Sequence, residues 1–121
     1  MDNQQPSDKI IWKTTCECDK YEVDQNGNIR HKIRKQILTP RKNPSGYGYV
    51  CFVIGGKRKN FAIHRIVANA FIPNPSGLLE VNHKDYNKLN NSVSNLEWVN
   101  SSQNKQHAFL RLENHTSRGK K

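Results

Sequence analysis

The feature that most constrains this chain is a change of hydrophobic period at Ile63 and His64. Upstream of it, apolar residues come in short β-type runs broken by glycine turns. From Ile63 onward, Ile63, Ile66, Val67, Ala70 and Phe71 fall at helical spacing. That stripe predicts one short helix, which Pro73 must end because proline lacks the backbone donor and clashes with the preceding turn. Strands followed by one amphipathic helix imply an α+β fold in which the helix packs on a sheet.

Two hairpins are readable before the helix. Tyr21, Val23, Ile29 and Ile33 flank the turn dipeptide Asn26-Gly27. Gly46 to Ile54 (GYGYVCFVI) is rich in aromatic and β-branched residues, Gly55-Gly56 supplies a turn, and Phe61 and Ile63 alternate on the return. Together they predict an N-terminal antiparallel sheet. After the helix, Pro73-Asn74-Pro75-Ser76-Gly77 suits a tight connection. A short strand around Leu79 to Val81 then leads into Asn82-His83. Lys84 to Val93 is polar and asparagine-rich, which predicts a surface loop closed by its own hydrogen bonds. Leu96 and Trp98 alternate as a second strand, and Ser101 or Ser102 can cap a helix through Asn104, His107 and Ala108 to about Leu112.

Composition narrows the function classes. The 121 residues suit one domain with a thin core, since only 34% are hydrophobic. Twenty Lys and Arg against ten Asp and Glu give a formal charge of +10, which points to a polyanionic partner. Nucleic acid is preferred to a membrane surface because the basic residues recur around polar loops without the apolar moment of an interfacial helix. No run approaches the roughly 18 apolar residues of a membrane span, and the opening MDNQQPSDK is polar where a secretory signal is apolar. An intracellular protein with reduced thiols at Cys16, Cys18 and Cys51 is expected.

The segment from Val81 to Ala108 concentrates Asn82, His83, Asp85, Asn95, Asn104 and His107 on two short strands and a helix. Adjacent strand residues point to opposite faces, so Asn82 and His83 meet a common ligand only where the strand end twists. Four blocks, HRIVANAFIPNP at 64 to 75, VNHKDYN at 81 to 87, NLEWV at 95 to 99 and SSQNKQHA at 101 to 108, resemble the HNH nuclease family, in particular its phage and intron-encoded homing-endonuclease branch. Upstream, IWKTTCECDKYEVDQNGNIR is similar to the tryptophan-led sheet module that precedes the motif in such proteins.

The resemblance implies a ββα-metal motif within a single domain at residues 10–113. The sheet module would occupy 10–63 and the helix and motif 64–113, between a flexible lead-in at 1–9 and a basic flexible tail at 114–121. It makes His83 and Asn95 the catalytic set, with His83 the general base and Asn95 a clamp tying the long loop to its strand. Asn82 and Asn104 become the ligands of one divalent cation, Mg²⁺ or Mn²⁺, with His107, Asp85 and His64 as secondary candidates. The implied reaction is hydrolysis of DNA to a 5′-phosphate and a 3′-hydroxyl. A histidine, titrating ordinarily near ~6.5, can accept a proton from water at physiological pH. Two neutral asparagines imply weak metal affinity until substrate phosphate joins the shell.

Each residue also has a plainer reading: His31 and His115 as surface or packing groups, His64 as a structural residue opening the helix, and Asp85 as the acceptor of an Asx turn. Lys57-Arg58-Lys59 at a turn, Arg41, Lys42 and Arg65 are expected to contact DNA phosphates without reading sequence. Larger homing enzymes carry further DNA-reading modules, so limited site specificity is expected, as monomer or homodimer. A noncatalytic nucleic-acid-binding module of the same fold, or a basic interaction protein, are the competing functions.

Overall fold

A computed structural model describes residues 9–100. Its strands are β1 (Lys13–Thr14), β2 (Tyr21–Val23), β3 (Ile29–His31), β4 (Arg41–Lys42), β5 (Gly48–Ile54) and β6 (Lys57–Ala62). Helix α1 (Ile63–Phe71) follows, then β7 (Glu80–His83), a 3₁₀ turn (Val93–Asn95) and β8 (Leu96–Val99). The α+β class stands, with helix and hairpins where the period change puts them.

The first half is two sheets, where the sequence suggested one. Strands order as β1-β2-β3 and as β4-β5-β6, every pair antiparallel, and β7-β8 form a third, two-stranded sheet. The division follows from the polar stretch after His31, where Ile33, expected on a strand, is 82% exposed in a turn. The first hairpin's turn is also longer than the expected two residues: Gly27 N–H donates to Asp24 O and Asp24 N–H to Asn28 O. Gly27 takes φ +90°, the left-handed conformation that glycine adopts without strain. Ile63 opens α1 and does not extend the return strand, because the side chains of Ile63, Ile66 and Val67 are needed together on the buried face of the helix.

One core joins the three sheets through α1. Val23 and Ile29 from the first sheet, Val50 and Phe52 from the second, Ile63, Ile66 and Val67 from the helix, and Val81 and Leu96 from the third form a single buried cluster. Each such side chain contributes about 1.5–3 kcal/mol by leaving water. Tyr21 stacks on Phe52 at 4.0 Å between centroids and its hydroxyl accepts from Val53 N–H, which clamps the first two sheets together. At the edge of the first sheet the Arg30 guanidinium lies over the Trp12 ring at 3.9 Å and binds Glu22 at 2.6 Å.

The last hairpin is held against α1 by polar contacts as well. Trp98 Nε1 donates to Ile72 O at the helix end, and Arg65 donates to Leu79 O while lying over the Trp98 ring. Among the described residues no helix is long and apolar enough to cross a membrane.

Candidate active site

Strand β7 presents two chemically different faces. In its register with β8, Asn82 pairs with Glu97 and His83 with Leu96, so alternation sends Asn82 and Glu97 to one side and His83 and Leu96 to the other. His83 turns inward against α1, where it is 5% exposed. Its ring centroid lies 5.0 Å from that of His64 and 5.9 Å from that of Tyr47, and Tyr47 and His64 are themselves 5.1 Å apart.

The His83 Nε2 atom meets Asn91 Oδ1 at 2.8 Å. A carbonyl oxygen can only accept, so Nε2 carries the proton and the lone pair falls on Nδ1. Asn91 is itself wedged in place. A Cβ on Gly27 would stand 3.1 Å from Asn91 O, and one on Gly48 would stand 3.6 Å from Asn91 Nδ2. The first hairpin thus comes this close to the histidine's partner only because glycine occupies position 27, whereas a Cβ on Gly48 would press on Ile63 Cδ1 at 3.3 Å and make only ordinary contact with Asn91. Val93 N–H donates to Gln25 O, a further tie between the loop and the first hairpin.

The self-bonded loop expected over 84–93 is present and closes two residues later, through the 3₁₀ turn at Asn95. Asp85 Oδ1 accepts from Asn87 N–H and Asn95 Nδ2, and its Oδ2 accepts from Asn90 Nδ2. The hydrogen bond from Asn90, followed by those from Asn87 and Asn95, holds the Asp85 carboxyl below its ordinary range. Asn95 completes the clasp: its Oδ1 accepts from Asp85 N–H, its Nδ2 donates to Asn90 O, and its backbone carbonyl takes Lys84 N–H. The loop therefore leaves β7 directly after His83 and returns through Asn95.

His64 lies behind His83 with its Nδ1 buried and without a hydrogen-bond partner. Burial, with the neighbouring His83 and Arg65 adding positive potential, lowers its pKa to about 4. It is a neutral ring against which His83 packs.

On the other face, Asn82 is 8% exposed and donates from Nδ2 to Glu97 Oε2 at 2.8 Å. The carboxylate can only accept, so the amide nitrogen must face it and the carbonyl Oδ1 is left to bind a ligand. Oxygen donors of this kind fit a hard divalent cation such as Mg²⁺ or Mn²⁺ better than a thiophilic metal. Asn104 and His107 lie outside the described residues.

The basic residues border this region differently than expected. Arg41 and Lys42 form β4, one edge of the second sheet, and line a cavity of about 460 Å³ together with Asn91, Gly27 and Gly48. Lys57, Arg58 and Lys59 belong to the exposed start of β6 at the opposite edge, and not to the turn itself, which Gly55 and Gly56 suffice to make. Arg65 is committed to Leu79 O and Trp98.

Asn91, Tyr47 and Glu97 escape the sequence reading. In an asparagine-rich loop nothing separates Asn91 from its neighbours, and only its 8% exposure marks it. Glu97 carries a signal, its place between apolar Leu96 and Trp98 on a strand, but its partner is visible only through the strand register.

A family model described as HNH endonuclease matches residues 61–106. The uncharacterized HNH endonuclease L245 of Acanthamoeba polyphaga mimivirus is 44% identical over 100 residues, 81% of this chain and 29% of that protein. H-N-H endonuclease F-TflII of Escherichia phage T5 is 34% identical, covering 70% of this chain and 45% of its own length. DNA endonuclease I-HmuI of Bacillus phage SP01 is 35% identical, covering 82% and 53%. The chain thus spans about half or less of the length of these relatives. The solved structure describing DNA binding and cleavage by the HNH homing endonuclease I-HmuI superposes with a TM-score of 0.74 at 33% identity, covering 84% of this chain and 59% of that one.

Proposed function

Since the chain belongs to the HNH endonuclease family, we propose that it is a metal-dependent DNA endonuclease that hydrolyses phosphodiester bonds to a 5′-phosphate and a 3′-hydroxyl. The observation that carries this reading is the orientation of His83 by Asn91, which leaves Nδ1 as a proton acceptor at the start of a polar loop. His83 is the general base: Nδ1 takes the proton of the attacking water while Asn91 Oδ1 steadies the positive charge that develops on the ring. His64 and Tyr47 hold the ring plane, and Asn95 with Asp85 holds the loop. These four are positioning residues.

Asn82 Oδ1, with Asn104, would hold a divalent cation on the face of β7 opposite to His83; His83 is the last residue of the strand, so the scissile phosphate would have to sit at the strand's end to meet both. When bound, that ion supplies Lewis-acid stabilisation of the charge on the departing 3′ oxygen. Arg41 and Lys42 on one edge of the second sheet and Lys57, Arg58 and Lys59 on the other would contact phosphates, so DNA retention should fall steeply as salt rises.

Relaxation of supercoiled plasmid in Mg²⁺ or Mn²⁺ tests the reading. Wild type relaxes the plasmid, and His83→Ala does so about 10³-fold more slowly, as expected for the loss of a general base. Equal rates would remove His83 from the mechanism. Retention of DNA by wild type with no cleavage in either metal would replace the nuclease with a binding module.

A further inference from the structure

The Asn82 face of β7 contains a charge that the neutral ligand set lacks. Asn82 and Glu97 are direct cross-strand partners, and a hydrogen bond of 2.8 Å joins Nδ2 to Oε2. That bond engages one carboxylate oxygen and the amide nitrogen, and leaves the other oxygen of each group to a ligand. Oε1 of Glu97 and Oδ1 of Asn82 are then two oxygen donors, one anionic, on the same face of one hairpin. Glu97 is half-buried, so its charge is only partly screened by water. Two carboxamides alone would compete poorly with water for Mg²⁺ or Mn²⁺, whereas a carboxylate is the usual protein anchor for such ions.

We propose that Glu97 is a ligand of the divalent cation, forming with Asn82 a carboxylate and carboxamide pair that supplies the negative charge of the site. The proposal rests on the metal-dependent reading above. It differs from a role in which Glu97 merely orients the Asn82 amide, because Glu97→Gln separates the two. A glutamine still offers a carbonyl to Asn82 Nδ2, so orientation survives while the charge is lost.

Binding of Mn²⁺ alone to the full chain, followed by the electron paramagnetic resonance signal of the free aqua ion, reads this directly. Glu97→Gln weakens Mn²⁺ binding at least about tenfold at unchanged melting temperature. The double variant Asn82→Asp, Glu97→Gln, which moves the carboxylate to the facing strand, recovers most of the loss. Glu80→Gln, a charge removed two residues from Asn82 on the same face, has a smaller effect than Glu97→Gln. Wild-type affinity in Glu97→Gln would overturn the proposal while leaving the metal-dependent reading intact, and so would an equal loss in Glu80→Gln, which would mean general electrostatics. Absence of Mn²⁺ binding by both wild type and the double variant would overturn the metal-dependent reading and the proposal with it.

Discussion

Two hairpins of this protein are organised by an aspartate, and they use it to opposite ends. In the first, Asp24 is 1% exposed and its carboxylate accepts from Asn26 N–H, Asn28 N–H and Asn28 Nδ2, all within four residues. The result is a tight surface turn closed over a buried carboxylate. In the last, Asp85 is exposed and its partners reach as far as Asn95, so the same kind of acceptor spans a long loop and holds it over the strand that carries His83. The two meet where Gly27 of the first touches Asn91 of the second. A compact turn supplies rigidity, and a long loop carries the histidine's partner to it.

The largest expected effect is acid sensitivity from His64, the helix residue on which the histidine of the last hairpin packs. His64 titrates near 4 in the folded protein because burial disfavours its cation, against an ordinary value of 6.5. A base whose folded pKa is depressed binds fewer protons folded than unfolded, so stability is intact above pH 6.5 and is lost as pH falls toward 4. The loss is on the order of 3 kcal/mol. Urea unfolding across this range should show it, and His64→Phe should flatten the curve. An unchanged slope in that variant would place the acid sensitivity elsewhere.

Asn91→Ala comes next. The histidine loses the partner that fixes its tautomer, so cleavage should fall about 10²-fold, or about 2.7 kcal/mol, with a shifted pH–rate profile. Asp24→Ala should do the reverse. It removes the acceptor of three turn hydrogen bonds and costs about 2 kcal/mol in urea unfolding, while cleavage by the folded fraction holds. If Asp24→Ala instead slowed cleavage of fully folded protein, the turn would be part of the site and the contrast would fail. The smallest effect concerns Tyr86, which sits in the loop at φ +65°, a left-handed conformation that strains a residue with a side chain. Tyr86→Gly should raise the melting temperature slightly, by less than about 1 kcal/mol of stability.

Legibility in the sequence followed the range of the interactions. The helix was readable because the Ile63 to Phe71 stripe and Pro73 are local signals, and so were the hairpins at Gly27 and at Gly55-Gly56. The division of the first half into two sheets was not, because it depends on where the chain after His31 turns and which strands it pairs. The self-bonded loop was legible from its asparagines, and the cross-loop role of Asn95 came from family resemblance.

What the sequence determined by itself was the set of elements and the residue types gathered between Val81 and Val99: period, turn residues and side-chain chemistry need no partner to be read. Only the tertiary structure decided which asparagine touches His83, which carboxylate faces Asn82, and why glycine occupies positions 27 and 48. The physical reason is that each of these is a contact between segments far apart in the chain or facing across a strand register. Hydrogen-bond direction and close approach are properties of packed surfaces, and no local pattern encodes them.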